Sequence, residues 1–170
     1  CILTHRRPDG DTIGSSAALC LGLRQLGKTA HVLMNEEVSE RFAWLHEGLT
    51  KEAEEEGDTI VSVDVASPGM LGEASAHLAE KAILRIDHHG RSTSFAPLEI
   101  VDPQMASCAE LVYDILMELG VELTESGEIL MDNASVKTKR EEAGTTTYPD
   151  RYTEDFESRN HPTFDYSGGT

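Results

Sequence analysis

The residues of this chain that are best suited to chemistry are histidines and aspartates grouped in three short segments. The first segment places one imidazole and two carboxylates within seven residues, His5-Arg6-Arg7-Pro8-Asp9-Gly10-Asp11. The second contributes Asp64 after the apolar run 60–63, and the third is Asp87-His88-His89 after the largely apolar run 83–86. Imidazole nitrogens and carboxylate oxygens without thiolate are ligands for hard or borderline divalent cations such as Mn²⁺, Mg²⁺ or Co²⁺.

The apolar pattern predicts alternating strands and helices up to about residue 130. Short apolar or β-branched runs predict strands at 1–4, 30–34, 59–65, 82–86 and 97–101. Apolar residues at helical spacing predict helices at 12–26, 39–49, 70–81 and 107–119. Gly27 and Gly120 are expected to end the first and last helices, and Ser107 with Glu110 predicts a capping box.

This alternation predicts an α/β fold with a mainly parallel sheet and helices on both faces. In such folds, sites lie at the carboxyl ends of the strands. Each of the three segments lies at the C-terminal end of a predicted strand, so we expect them to meet at one edge of the sheet. They hold more carboxylates than one ion needs, and a carboxylate such as Asp64 can bridge two ions. Two ions roughly 3.5–4 Å apart can clamp a phosphoryl group and activate a water.

The composition is that of an ordinary soluble domain with a strongly acidic charge. The chain has 170 residues, 39% apolar and 26% charged, with a formal net charge of -17. This charge argues against binding of long nucleic acid, although bound cations can reverse the field locally for a small phosphorylated substrate. No run is long enough to span a bilayer and no signal peptide is visible, so a cytoplasmic location is expected. The first residue is a cysteine inside a predicted strand, which leaves a longer native N-terminus open.

The remaining residues with ligand chemistry are predicted to be structural. Cys1, Cys20 and Cys108 have neither zinc-ligand nor redox spacing, and we expect buried small side chains in a reducing compartment. Four further histidines have no ligand spacing around them and are expected to be core or surface residues: His31, His46, His77 and His161.

Taken together, the three segments resemble the first three motifs of the DHH phosphoesterase superfamily. The run 8–16, Pro-Asp-Gly-Asp-Thr-Ile-Gly-Ser-Ser, and the stretch from Asp102-Pro103 to Ser107-Cys108-Ala109-Glu110 are most similar to one branch. That branch comprises the bacterial oligoribonucleases and phosphoadenosine-phosphate phosphatases, the nanoRNases. The resemblance implies a DHH-type, Rossmann-like catalytic domain over residues 1–130, followed by an atypical or truncated, irregular segment over 131–170.

The resemblance also implies a centre of two Mn²⁺ ions, for which Mg²⁺ or Co²⁺ can substitute. The implied metal ligands are His5, Asp9, Asp11, Asp64 and His88. The first ion would be held by His5, Asp9 and Asp64. The second would be held by Asp11, Asp64 and His88, so that Asp64 bridges the two ions.

The residues around the histidine pair are expected to act on the substrate. The resemblance gives His89 a catalytic contact with the substrate phosphate and gives Asp87 the role of orienting the histidines. Arg91 and Ser92 follow closely and carry hydrogen-bond donors, so they are expected phosphate contacts. The expected activity is hydrolysis of short oligoribonucleotides, dinucleotides or adenosine 3′,5′-bisphosphate by water activated between two metal ions. This substrate is the expected partner, with neither long nucleic acid nor a membrane, and a homodimer is one option for assembly.

The sequence departs from the family pattern after Met131. The family's fourth motif is an aspartate followed by Thr-Gly, and Asp132-Asn133-Ala134 does not match it. The family's second domain has a Gly-Gly motif, to which Ser167-Gly168-Gly169-Thr170 is a weak match. Two alternatives therefore stay open. One is another enzyme of the superfamily, a cyclic-dinucleotide phosphodiesterase or an inorganic pyrophosphatase. The other is a non-catalytic remnant that binds a metal ion or a nucleotide.

Overall fold

The centre of the fold is a six-stranded sheet in which every strand pair is parallel. The computed structural model describes residues 1–34 and 38–123. Within them the strands are β1 (Ile2–Leu3), β2 (Val32–Leu33), β3 (Thr50–Lys51), β4 (Ile60–Val63), β5 (Ala82–Asp87) and β6 (Leu98–Val101). Their order across the sheet is β3-β2-β1-β4-β5-β6. The prediction of an α/β fold with a mainly parallel sheet is therefore confirmed.

Strands β1, β2 and β4 are buried on both faces of the sheet. Neighbouring residues of a strand point to opposite sides. Ile2 and Val32, which are paired across β1 and β2, pack into one hydrophobic cluster. Leu3 and Leu33, the next residues in the same strands, pack into a second cluster. Each cluster therefore covers one face of the sheet.

Two long helices cover the first face. Helix α1 spans Gly10–Gln25 and helix α3 spans Cys108–Glu118, and both contribute buried residues to the cluster that contains Ile2. The two helices approach closely at Gly22, where an added Cβ would overlap Cδ2 of Leu116. Glycine at this position lets α1 and α3 pack against each other over the sheet.

The ends of these helices are set by the residues that the sequence indicates. Gly27 and Gly120 take left-handed φ values of 75° and 76° just after the helices, which confirms both predicted stops. The hydroxyl of Ser107 accepts the N–H of Glu110 at 3.2 Å, which confirms the predicted N-cap. The Glu110 carboxylate accepts the N–H of Ala106 at 3.0 Å, one residue before the position that a capping box uses.

The helix predicted at 39–49 is wrong in extent, since this segment contains one 3₁₀ turn at Ala43–His46. The chain must reverse here to begin β3 at Thr50, and Gly48 takes a left-handed φ of 72° two residues before that strand. Leu45 packs against the first cluster. The helical spacing of apolar residues therefore reflects the packing of a single turn.

The helix predicted at 70–81 is also wrong in extent. The region is divided into a 3₁₀ turn at Pro68–Met70, the four-residue helix α2 at Glu73–Ala76 and a 3₁₀ turn at Ala79–Lys81. Gly72 precedes α2 and has no side chain to cap it. Leu71 and Leu78 pack into the second cluster. Helical structure thus covers both faces, but on this face it consists of short turns.

The predicted C-terminal segment 131–170 lies outside the described residues, so the fold does not test the fourth motif, the Gly-Gly match or His161. In the part of the chain that is described, no helix combines the length and apolar character needed to cross a membrane.

Candidate metal centre

The three ligand segments meet at the carboxyl edge of the sheet. His5 follows β1, Asp64 follows β4, and Asp87 is the last residue of β5. These strands are neighbours in the order β1-β4-β5. Because parallel strands end at the same edge, three distant parts of the sequence contribute to one site.

Asp64 lies at the centre of the site in an unusual backbone conformation. Its φ of 58° is the only positive value for a non-glycine residue within residues 1–34 and 38–123. Asp64 is 2% exposed, and this burial raises the pKa of its carboxyl to about 6, although a hydrogen bond from Thr12 opposes the rise. Its Oδ1 is buried and has no hydrogen-bond partner among the described residues. Such an oxygen is costly to bury unless a ligand satisfies it.

One group of potential ligands consists of His5, Asp9 and Asp64, each with one atom within 4.8 Å of the other two. Asp9 is also the N-cap of α1, since its Oδ1 accepts the N–H groups of Asp11 and Thr12 at 3.0 Å each. Burial alone would raise the pKa of Asp9, but the hydrogen bonds from Thr12 lower it. The helix that follows therefore fixes this carboxylate in its ionised form.

The hydroxyl of Thr12 connects all three members of this group. Its Oγ1 lies 2.6 Å from Nε2 of His5, 2.5 Å from Oδ2 of Asp64 and 3.2 Å from Oδ1 of Asp9. One hydroxyl has a single hydrogen to donate, so Thr12 donates to one carboxylate and can accept from the imidazole. Burial lowers the pKa of His5, which favours the neutral imidazole that binds metal ions.

A second group consists of Asp64, His88 and His89, again with one atom from each within 4.8 Å of the others. Nε2 of His88 lies 3.7 Å from Oδ1 of Asp64 and 3.5 Å from Oδ2 of Asp11. Nδ1 of His88 lies 3.3 Å from the carbonyl oxygen of Met105. This contact places the imidazole hydrogen on Nδ1 and leaves the Nε2 lone pair for a cation. Asp64 thus belongs to both groups.

Asp11 joins the site to the N-terminus of α3. Its Oδ2 accepts the N–H of Cys108 and its Oδ1 accepts the N–H of Ala109, both at 2.8 Å. The positive end of the helix dipole stabilises a carboxylate in this position. Each carboxylate oxygen has two lone pairs, so Asp11 can bind α3 and still contact a cation beside His88. The stretch 102–110 contributes to the site through its backbone in this way.

Asp87 is buried beneath the histidine pair. Its Oδ1 accepts the Nδ1–H of His89 at 2.7 Å, and its Oδ2 accepts a hydrogen bond from Arg85 at 2.9 Å. Arg85 is 2% exposed, and its other nitrogens donate to Glu99 at 3.0 and 3.3 Å. Burial would lower the pKa of His89, but the bond and the charge of Asp87 outweigh this effect and raise it. Asp87 therefore orients one histidine of the pair, and a backbone carbonyl orients the other.

The residues expected to contact phosphate, Arg91 and Ser92, lie on the exposed loop after the histidines. The hydroxyl of Ser92 accepts a hydrogen bond from Nη2 of Arg85 at 3.2 Å. A hydroxyl that accepts in this way still has its own hydrogen to donate. Both residues stay predictions as phosphate contacts.

The donor set fits hard or borderline divalent cations. Both groups consist of imidazole nitrogens and carboxylate oxygens without thiolate. The unpartnered Oδ1 of Asp64 is a buried oxygen that a cation would satisfy. Because Asp64 is common to both groups, one carboxylate can serve two adjacent ions.

Comparison with known proteins decides the family. Residues 1–143 match the N-terminal domain of the DHH family. The chain belongs to the DHH family. This DHH domain is 38% identical over 125 residues to the bifunctional oligoribonuclease and PAP phosphatase NrnA of Thermus thermophilus, a match that covers 72% of this chain and 38% of the relative. It is 25% identical over 134 residues to the probable bifunctional oligoribonuclease and PAP phosphatase NrnA of Streptococcus mutans, covering 75% of this chain and 41% of the relative.

The DHH domain is also similar to a solved structure, that of an exopolyphosphatase-related protein from Bacteroides fragilis. The TM-score is 0.54 and the sequence identity is 27%, over 70% of this chain and 39% of the other. The matched region thus amounts to about two fifths of the length of each of these relatives. The DHH domain therefore corresponds to one part of the architecture that those proteins have.

Sequence reasoning missed two side chains of this site, Thr12 and Arg85. Thr12 follows the Pro-Asp-Gly-Asp run at the start of α1, where a hydroxyl can reach back to a capping aspartate. Arg85 stands two residues before Asp87 in one strand, and residues at that spacing point to the same face. An arginine in a largely apolar strand, two residues before an aspartate on the same face, is the pattern that could have identified Arg85.

Proposed function

We propose that this DHH domain is the catalytic part of a divalent-metal-dependent phosphoesterase. Its substrates would be short oligoribonucleotides, dinucleotides or adenosine 3′,5′-bisphosphate. The observation that carries the proposal is the position of Asp64, whose buried carboxylate belongs to both ligand groups at the carboxyl edge of the sheet. The names of the Thermus and Streptococcus relatives support this substrate class.

In this proposal the ligands divide between two ions, with Mn²⁺ as the preferred metal and Mg²⁺ or Co²⁺ as substitutes. One ion is assigned to His5, Asp9 and Asp64, and the other to Asp11, Asp64 and His88. When bound, such ions supply Lewis-acid stabilisation of the phosphoryl oxygens and activation of water. His89 is assigned to the substrate instead of to an ion in this proposal, with its Nδ1–H bonded to Asp87.

The protein's own side chains prepare the site for this chemistry. Thr12 keeps the His5 and Asp64 side chains in fixed positions, so less reorganisation is needed when a cation binds. The imidazole of His89 is held by Asp87 on one side and is 40% exposed, and in this proposal it would contact a substrate phosphate. Arg91 and Ser92 would add donors at the same loop.

A short substrate agrees with the charge of the chain. A formal net charge of -17 disfavours a long polyanion, which needs many cationic contacts along its backbone. A dinucleotide or a nucleoside bisphosphate needs only a local positive field, which bound cations provide. A cytoplasmic location and a homodimer stay predictions alongside this substrate class.

Replacing Asp64 tests the assignment. Asp64→Asn is the suitable change because asparagine tolerates a left-handed backbone, whereas alanine would add strain. We expect a loss of hydrolysis of at least about 100-fold, since both ions lose a charged ligand. Asp114→Asn, which removes an exposed carboxylate on α3, is the matched control and should retain activity. Substantial Mn²⁺-dependent activity in Asp64→Asn would contradict the proposal.

A substrate panel separates the alternatives. Dinucleotides, adenosine 3′,5′-bisphosphate, cyclic dinucleotides and pyrophosphate should be compared in Mn²⁺, with release of nucleotide or phosphate as the readout. Preference for pyrophosphate would favour the inorganic-phosphate branch, to which the name of the Bacteroides neighbour is closer. Calorimetry with Mn²⁺ addresses the non-catalytic alternative, because an intact centre should take up two ions.

A further inference from the structure

A different set of ligand-bearing side chains lies at the amino edge of the sheet, at the opposite end of the strands from the DHH centre. Cys1 directly precedes β1, His31 directly precedes β2, and Asp58 lies shortly before β4. The order β2-β1-β4 makes these strands neighbours, so their amino ends converge. One ligand atom from each of the three residues lies within 4.8 Å of the other two. Spacing along the chain does not indicate this cluster, and His31 was expected to be an ordinary core or surface histidine.

The unsatisfied nitrogen of His31 points to a ligand at this cluster. His31 is 1% exposed, and its Nε2 is buried without a hydrogen-bond partner in the described part of the chain. Leaving such a nitrogen unpaired is unfavourable. A neutral imidazole has one ring nitrogen with a free lone pair. A metal ion is a partner that would use that lone pair.

The distance between the donor atoms of His31 and Asp58 matches the distance expected for two ligands of one tetrahedral ion. Nε2 of His31 lies 3.4 Å from Oδ2 of Asp58. Zinc binds imidazole nitrogen at about 2.0–2.1 Å and carboxylate oxygen at about 2.0–2.2 Å, which at a tetrahedral angle separates the two donors by about 3.4 Å. The backbone holds this arrangement in place: the carbonyl of His31 accepts the N–H of Ile2 and the carbonyl of Cys1 accepts the N–H of Val61, both at 2.9 Å.

Asp58 also has a structural role within its own loop. Its Oδ2 accepts the N–H of Glu55 at 2.7 Å, which stabilises the local turn. That bond explains Asp58 but not the unpaired nitrogen of His31, and a carboxylate oxygen keeps a second lone pair. The adjoining acidic run 52–56 adds a negative field, of which the ion pair between Lys51 and Glu55 at 2.7 Å neutralises only a part.

We propose that Cys1, His31 and Asp58 bind a transition-metal ion of the zinc class. Thiolate, imidazole and carboxylate are ligands of Zn²⁺ and Co²⁺, and thiolate is a poor ligand for Mg²⁺. Binding would convert the Cys1 thiol to a thiolate with release of one proton. Water would complete the coordination, because Cys1 is half-buried and the Asp58 side chain is 19% exposed. The ion would tie together the amino ends of three adjacent strands, and its existence does not depend on the proposed hydrolysis.

Titration with Co²⁺ tests this site separately from the DHH centre. Neither ligand group of the DHH centre contains a cysteine, so a thiolate-to-cobalt charge-transfer band in the near ultraviolet should report on Cys1. We expect the band in the unmodified protein, its disappearance when Zn²⁺ is added, and its complete loss in Cys1→Ser. Asp58→Asn should weaken Co²⁺ binding by at least about tenfold, because it removes the charged ligand.

The other two cysteines supply matched controls. Cys20→Ser and Cys108→Ser should both keep the band, although Cys108 lies beside Asp11 at the other edge of the sheet. Circular dichroism confirms that each variant is folded. The proposal is overturned if the unmodified protein shows no band, if the band persists in Cys1→Ser, or if Cys108→Ser abolishes it.

Discussion

The guanidinium of Arg85 donates to the carboxylate of Asp87 at 2.9 Å, and their side chains are only 2% and 0% exposed. This buried pair lies directly beneath the DHH centre, because the other oxygen of Asp87 accepts the Nδ1–H of His89. On its far side Arg85 reaches Glu99, so a continuous chain of charged hydrogen bonds runs from the surface to the histidine. Charged groups buried in this way are tolerated only when each is paired.

Removal of Arg85 is therefore expected to be costly for stability. Arg85→Met should reduce the free energy of unfolding by about 3–5 kcal/mol, since it leaves the Asp87 carboxylate buried without its cation. Glu99→Gln is the matched control, because it changes the outer partner, which is 25% exposed, and should cost no more than about 1 kcal/mol. Urea unfolding of the three proteins checks this. If both variants lost the same free energy of unfolding, the buried Arg85–Asp87 pair would contribute no more to stability than the outer pair with Glu99.

Asp11 is expected to have two separable roles. Asp11→Asn weakens the carboxylate contact with the N-terminus of α3, which should reduce stability by about 0.5–2 kcal/mol. It should also weaken Mn²⁺ binding at the DHH centre, as measured by calorimetry. Ser107→Ala removes only the N-cap of α3 and should cost about 1 kcal/mol without affecting Mn²⁺ binding. Unchanged Mn²⁺ affinity in Asp11→Asn would leave Asp11 with its structural role alone.

His46 makes stability depend on pH. It is 6% exposed and lies 2.9 Å from the hydroxyl of Ser16, and burial lowers its pKa. The unfolded chain, with an ordinary histidine pKa of about 6.5, therefore binds the proton more readily than the folded protein. The stabilising contribution of neutral His46 is present above that value and is lost as the pH falls below it, through the lowered pKa of the folded state.

The measurement is urea unfolding of the protein and of His46→Gln at pH 7.5 and pH 5.5. We expect the stability difference between the two proteins to shrink at the lower pH. His77→Gln replaces a histidine whose side chain is 55% exposed, and it should change stability by no more than about 1 kcal/mol at either pH. A difference for His46→Gln that does not vary with pH would contradict the interpretation.

We expect a side chain at Gly22 of α1 to destabilise the protein, whereas a side chain at Gly14 of the same helix should be tolerated. Gly22→Ala would place its Cβ in overlap with Cδ2 of Leu116, and we expect a loss of about 1–3 kcal/mol from overpacking. A Cβ at Gly14 would meet nothing within 4 Å, so Gly14→Ala should raise stability by about 0.5–1 kcal/mol through helix propensity. Thermal or urea unfolding of this pair of variants compares them directly. Destabilisation of similar size in both would rule out the helix contact as the cause.

The sequence by itself determined the class of fold, the family and the residues with metal-ligand chemistry. Apolar strands followed by polar residues are a local pattern, and the parallel arrangement then places the strand ends at one edge. The ends of α1 and α3 were also predictable, because they depend on local features. These are the left-handed backbone of Gly27 and Gly120 and the capping side chain of Ser107. Helices at 39–49 and 70–81 were overestimated, since periodicity alone does not distinguish a continuous helix from separate turns that pack on a sheet.

Only the tertiary structure decided which polar residues meet. The bond from the backbone of Cys108 to Asp11 joins residues 97 positions apart, and no local pattern encodes such a separation. The unsatisfied nitrogen of His31 and the buried guanidinium of Arg85 are likewise properties of burial. Burial and hydrogen-bond satisfaction depend on what surrounds a side chain after the strands have paired. The sequence therefore identifies which chemical groups this protein has, whereas the packing of the sheet and its helices determines which of these groups contact each other.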